Sequence, residues 1–378
     1  MIEIQESDIR KYLKTMCRLP ISFLQLGGLT LLSLNDNNQL HFQSFGYPSF
    51  FAIFQLFILF LPYSKQASHG VMDSRAEFVG DFTDIDQFAH WTVVGFVTFG
   101  YVLIRIVNAV NLRRHSKFHE NLNEISNELI FFQGKILDAT SVSAQEFTKA
   151  IGETTKYLRK IGKVIAGIIT ALCVAMFFSL LHILRANLFR MWAILLTPIL
   201  LIDYSVAVVM YYSQDYLYIL YIKWLGLGYH FIKINFLRLL NSEQCSESDN
   251  DDDNAHVVLE NKLQSLLGLC EKLERIVDEF NSLFQVPIII WLFSTCVVLM
   301  QQLYMVMTWL NVGEFQVLLS FAVATPLYPI NIYILCNAGT VFVREVQQNI
   351  EDCCKCIAMN AKTLKNEKLK MQVYNYIN

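Results

Sequence analysis

Few residues in this chain stand at the spacings that chemistry needs. No phosphate-cradling G-x-x-x-x-G-K-[ST] loop, no H-E-x-x-H zinc pair and no G-x-S-x-G nucleophile turn occurs. Cys353, Cys354 and Cys356 crowd around Lys355, too closely to close a tetrahedral metal site without ligands from elsewhere. Ordinary packing, or palmitoylation beside a membrane, suits them better. The acidic run from Ser246 to Asn254 lacks the Gly that a helix–loop–helix calcium turn requires, so it reads as a solvated linker. The expectation is a protein that is not an enzyme, with no cofactor, no metal and no nucleic-acid partner.

What remains is a set of aromatic and amide side chains at the ends of long apolar runs. Trp91, Phe178, His182, Trp192, Gln302, Tyr304, Trp309, Gln316 and Phe321 fall there. Trp and Tyr at such ends are expected as interfacial belts. Taken together, aromatics with two amides and one His have the makeup of a small-molecule pocket, mostly apolar with sparse polar groups. Asp203 lies midway along one apolar run, where a carboxylate is costly unless it meets a cavity or a partner. These ten residues form the candidate ligand site.

The elements that must position them are helices crossing a bilayer. Of the 378 residues 54% are hydrophobic and 17% charged, well below the quarter or so charged in soluble domains. Six runs approach or exceed the 20 or so apolar residues a crossing takes: Phe45–Tyr63, Phe88–Val110, Val164–Leu184, Met191–Tyr212, Pro287–Leu310 and Phe315–Cys336. Residues 19–34, interrupted by Pro20 and the Gly27-Gly28 pair, read as a surface-lying segment before the first span. Pro198, Pro326 and Pro329 mark kinks or breaks in the fourth and sixth spans.

Charge placement sets the orientation. The N-terminal region, residues 113–160, residues 223–275 and the tail hold 24 Lys and Arg, against four on the other connections. The positive-inside bias puts the N-terminus in the cytoplasm. The chain divides into a cytoplasmic region 1–44, a six-span domain 45–338 with long cytoplasmic loops at 111–163 and 213–286, and a cytoplasmic helix 339–378. None of the nine cysteines falls in the short outer connections, so no extracellular disulfide is expected.

Two apolar stripes stand out on the cytoplasmic side. Leu259, Leu263, Leu266, Cys270, Leu273, Val277 and Phe280 repeat at alternating steps of four and three and lead into the fifth span. Val343, Val346, Ile350, Cys353 or Cys354, and Ile357 form a second stripe in the tail. Both fit packing within one chain, or an anchor between copies, for which Leu259, Leu263, Leu266, Leu273, Val277, Phe280, Val346 and Ile350 are the candidates.

With these features in place the chain resembles the insect chemoreceptor superfamily, its gustatory receptor branch in particular. The shared features are the inner N-terminus, long inner loops, the short turn Asn311-Val312-Gly313, and Cys336-Asn337 followed by Arg344-Glu345 and a polar helical stretch closing on Leu369 to Tyr376. The resemblance implies an all-α, polytopic transmembrane helical bundle in the plasma membrane. It also implies a ligand-gated cation channel subunit, opened by a small-molecule tastant and assembled as a homo- or hetero-tetramer in membrane lipid. Six of an expected seven spans fall within residues 1–378. The seventh, pore-lining span, with its Thr-Tyr … Gln-Phe signature, is expected past Asn378, or is lacking from a form that does not conduct by itself. An odorant receptor of the same superfamily and a membrane transporter are the alternatives. A transporter's internal repeat would place broken helices at matching positions in two halves, and the prolines here do not repeat that way.

Overall fold

A computed structural model describes residues 32–34, 40–42, most of 100–136, 142–186, 191–243, 252–312, 318 and 322–359. The span expected at Phe45–Tyr63 and most of that at Phe88–Val110 lie outside the described residues. Elsewhere the helical expectation is met by five long helices: α1 (Leu112–Ile136), α2 (Val142–Ala186), α3 (Met191–Glu243), α4 (Asp252–Val312) and α5 (Leu327–Met359). One short antiparallel hairpin accompanies the helices. It pairs β1 (Leu32–Leu34) with β2 (Leu40–Phe42), Ser33 facing His41. The physical reason lies in Leu-Ser-Leu and Leu-His-Phe, which alternate apolar and polar residues with the period of a strand.

The helices run much farther than a bilayer is thick. At 1.5 Å per residue, 45 residues of α2 extend roughly 68 Å, about twice a hydrocarbon core. Among the described residues, three stretches are long and apolar enough to cross a membrane: Lys149–Phe178, Asn261–Tyr304 and Ala322–Cys353. In each, the exposed face changes character at one point. On α2 exposed Glu153, Lys156, Arg159, Lys160 and Lys163 are followed by Val164, Val174, Phe177, Phe178 and Leu181. On α4 Glu271, Lys272, Glu274, Arg275 and Asp278 give way to Val286, Ile289, Phe293 and Met300. On α5 the order runs backwards, from Ile330 and Tyr333 to Arg344, Glu345 and Glu351. Apolar side chains exposed in a continuous band suit helices long and apolar enough to cross a membrane, since in lipid a Phe on the outside costs nothing.

α3 is the helix around which the others pack. Its sequence is apolar on every side, the pattern of a buried helix. Between 208 and 239 none of its described side chains is exposed. α2, α4 and α5 cover it, and α1 closes the charged side by lying along α4. The core of this region holds Phe118, Leu172, Ile219, Leu225, Phe231, Leu263, Leu266, Leu273 and Leu283, all essentially inaccessible to solvent.

Where α1, α3 and α4 meet, the core is aromatic. Phe280 stacks on Tyr218 at 5.2 Å and packs against Phe284 at 4.8 Å, while Phe118 meets Tyr221 edge-on at 5.3 Å. Edge-on and tilted pairs of this kind add to simple area burial, by about 0.5–1.5 kcal/mol each. Higher in the bundle, Gly100 approaches α4 so closely that a Cβ there would meet the Ser294 Oγ at 2.5 Å.

The prolines behave differently from one another. The backbone stays helical through Pro198 and through Pro287, so the amphipathic stripe and the fifth span form one uninterrupted helix. Thr325 and Pro326 make a turn, and α5 begins after it. Pro329 then sits in the first turn, where its missing N–H leaves no helical bond unmade.

Candidate functional site

The stripe on α4 places its residues as its spacing requires. Leu263, Leu266, Leu273 and Phe280 are buried and Val277 packs against them; Leu259 lies in the same helix, its side chain outside the described residues. All of this burial is within one chain. The exposed face of the same helix is the charged one, so an intermolecular contact made by this part of α4 would use that face.

The tail stripe is rotated from its expected register. Val343 is 61% exposed, whereas Leu335, Ala338, Phe342, Val346 and Cys353 face the core. Ile350 is partly buried beside the buried Asn349. The shift arises because Asn349, a polar residue, takes a core position that a purely apolar pattern skips.

Of the ten candidate ligand-site residues, Trp91, Gln316 and Phe321 lie outside the described residues, as do the side chains of His182, Trp192, Asp203 and Trp309. Phe178 is exposed on the apolar stretch of α2, edge-on to Phe177 at 5.8 Å. Tyr304 is exposed on the corresponding stretch of α4. Gln302 is half-buried, and its Oε1 is enclosed with no hydrogen-bond partner among the described residues. Phe178 and Tyr304 thus occupy the outward, belt-like positions that interfacial aromatics take.

The most unusual chemistry lies in a pair that the apolar pattern passed over. Asn331 on α5 donates from Nδ2 to the Asp215 carboxylate on α3 at 2.6 Å. Both residues are buried, Asn331 with 1% exposure. Asn331 stands thirteen residues before Arg344, which places it roughly 20 Å inside the apolar side of the bundle. Its own Oδ1 is enclosed and has no partner among the described residues, and the same holds for Gln214 Oε1 next to Asp215. Ser213 on α3 and the buried Thr295 on α4 turn their hydroxyls back onto the Val209 and Trp291 carbonyls of their own helices. A carboxylate and amide meeting in a low-dielectric interior make a strong hydrogen bond and a costly one to leave unmade. Such a bond holds α3 and α5 in one relative position.

Sequence reasoning singled out Asp203 and ended the fourth span at Tyr212, which placed Asp215 in a solvated loop. The missed signal is the apolar run that continues after it, Tyr216 to Gly228, interrupted by one lysine.

Toward the charged side two ion pairs join the same two helices. Lys223 bonds both Glu345 oxygens, at 2.9 and 3.1 Å, and lies 5.2 Å from the Tyr157 ring centre. Lys233 meets Asp352 at 2.5 Å. On α1, His115 packs edge-on to Phe284 at 5.7 Å and His119 to Tyr221 at 6.1 Å. Burial lowers both imidazoles to about 4, the Arg114 and His119 charges adding to the effect at His115. Both are therefore neutral at physiological pH and belong to the aromatic core. Among the described residues no group of three or more His, Cys, Asp or Glu is placed to hold a metal ion. No protein-family model matches the chain, and no curated protein matches it.

Proposed function

We propose that the chain is a multi-pass plasma-membrane receptor of the gustatory type, a subunit of a ligand-gated cation channel that responds to a small-molecule tastant. Its N-terminus is cytoplasmic, and it assembles as a homo- or hetero-tetramer. The observation that supports this reading best is the architecture of α2, α4 and α5. Each carries an apolar, outward-facing half directly into a charged half packed around α3 on one side of the membrane. A receptor of this kind needs such a rigid body beneath its lipid-embedded part. Ligand binding can act on a pore only by favouring one arrangement of packed helices over another, and the Asp215–Asn331 bond and two ion pairs join α3 to α5.

The test is expression of the complete reading frame in oocytes, with currents recorded under a panel of sugars, amino acids and bitter alkaloids. A tag at the N-terminus should become accessible only after permeabilisation, and cross-linked particles should have four times the monomer mass. Surface-expressed protein that stays monomeric and carries no cation current across the panel would overturn the reading.

A further inference from the structure

On the exposed face of α2 four cations stand directly before the apolar band, with the exposed Glu153 one turn earlier. Lys156, Arg159, Lys160 and Lys163 are all exposed. At 100° per residue they fall within about a quarter-turn of one another on the helix surface. Along the axis they occupy roughly 10 Å, ending one residue before Val164, where the exposed side chains turn apolar. Val174, Phe177, Phe178 and Leu181 continue the same face upward. Among the described residues, none of the four cations makes an ion pair or a side-chain hydrogen bond within the chain.

The other two crossing helices do not share this. At its boundary α4 mixes Lys272 and Arg275 with Glu271, Glu274 and Asp278, and Lys272 is taken up by Glu128 at 2.5 Å. α5 mixes Arg344 and Lys355 with Glu345 and Glu351. A general bias toward basic residues on one side of the membrane would spread over all three helices. Among the described residues, α2 gathers four exposed cations with no acidic residue between them, at the depth where phospholipid headgroups lie. Anionic headgroups attract a basic cluster next to a membrane helix, and the attraction fades within a Debye length, about 8 Å in physiological salt.

We infer that the face Lys156–Arg159–Lys160–Lys163 is a binding surface for anionic phospholipid in the leaflet on the charged side of the bundle. On the orientation proposed above, this is the cytoplasmic leaflet. The apolar side chains above it hold the acyl chains, and the four cations take the phosphate and any further headgroup charge. Phosphatidylserine is the simplest such lipid.

The experiment uses the full chain purified in neutral detergent and titrated with fluorescently labelled phosphatidylserine, and separately with phosphatidylcholine carrying the same acyl chains and label. Wild type should bind phosphatidylserine roughly tenfold or more tightly over phosphatidylcholine, a preference that shrinks in high salt. The combined variant Lys156→Gln, Arg159→Gln, Lys160→Gln, Lys163→Gln should lose that preference and keep its melting temperature. If the quadruple variant does not fold, Lys160→Gln with Lys163→Gln should still reduce the preference severalfold. Lys355→Gln should leave it unchanged. Equal binding of the two lipids by wild type, or an undiminished preference in a folded Gln variant, would overturn the assignment. Displacement of phosphatidylserine by millimolar inorganic phosphate would also overturn it, by showing a site for soluble anions. None of these readouts depends on a tastant or on ion conduction, so the lipid surface stands or falls apart from the receptor reading.

Discussion

Asp215 and Asn331 lie 116 residues apart in the chain and meet through a 2.6 Å hydrogen bond in the interior of the bundle. The bond ties the central helix α3 to α5, whose exposed face runs from apolar to charged along the chain. Removing one partner of a buried polar pair is expected to cost more than removing both.

Asn331→Ala should therefore lower the stability of the purified protein by about 1–3 kcal/mol, because the Asp215 carboxylate keeps its desolvation cost and loses its donor. Asp215→Leu combined with Asn331→Leu should recover most of that loss. Thermal melts in detergent, arranged as a double-mutant cycle, read the coupling directly. Additive effects of the two changes would mean that the pair contributes nothing as a pair.

The buried stripe of α4 makes a second prediction. Leu266 has no exposed surface and Leu273 has 2%. Leu266→Ala should cost about 2–5 kcal/mol through lost burial and the cavity left behind. Leu266→Asp should prevent folding of the single chain. The informative readout is monomer melting alongside oligomer size. A variant that changes oligomer size while leaving the melt untouched would contradict the intramolecular packing.

The histidines of α1 predict a pH dependence with a definite sign. His115 and His119 titrate near 4 when folded, against 6.5 as the ordinary value. Between those limits the unfolded chain binds more protons, so stability falls as pH falls from about 6.5 toward 4. The slope approaches about 1.4 kcal/mol per pH unit for each histidine in mid-window. Above about 6.5 both are neutral in either state and contribute no slope. His115→Phe and His119→Phe should each flatten the acid limb of a melting-temperature profile measured between pH 4 and 8.

The Lys223–Glu345 pair should prove modest. Lys223 is 11% exposed, but Glu345 is 47% exposed and well screened. Lys223→Met should cost about 1 kcal/mol or less, and raising the salt concentration should shrink the difference. The charge-swapped Lys223→Glu, Glu345→Lys protein should melt closer to wild type than either single variant. A large loss, insensitive to salt, would mean that packing of the Lys223 stem on Tyr157 matters more than charge.

Much of the arrangement was legible in the order of residue types. Steps of four and three from Leu263 to Phe280 state that one side of α4 is buried, and the structure buries that side. The charged run from Lys149 to Lys163 followed by Val164 onward likewise marks where a helix changes solvent. The register of α5 was harder, because Asn349 occupies a core position and breaks the apolar period. The hairpin was harder still, since three-residue strands are too short to outweigh a neighbouring apolar run.

The sequence by itself determined that these stretches are helical, which side of α4 is buried, and where the outer face of α2 turns from charged to apolar. These properties depend on neighbours three and four residues away, and such neighbours are fixed by the chain. Tertiary structure alone decided which polar groups meet. Nothing local distinguishes Asp215 from Asp203, or marks Asn331 as its partner, because a hydrogen bond between helices depends on how α3 and α5 rotate and slide against each other. The same holds for the four cations on α2. Their spacing puts them on one face, but only the packing of α2 against α3 turns that face outward and, among the described residues, leaves its charge unpaired.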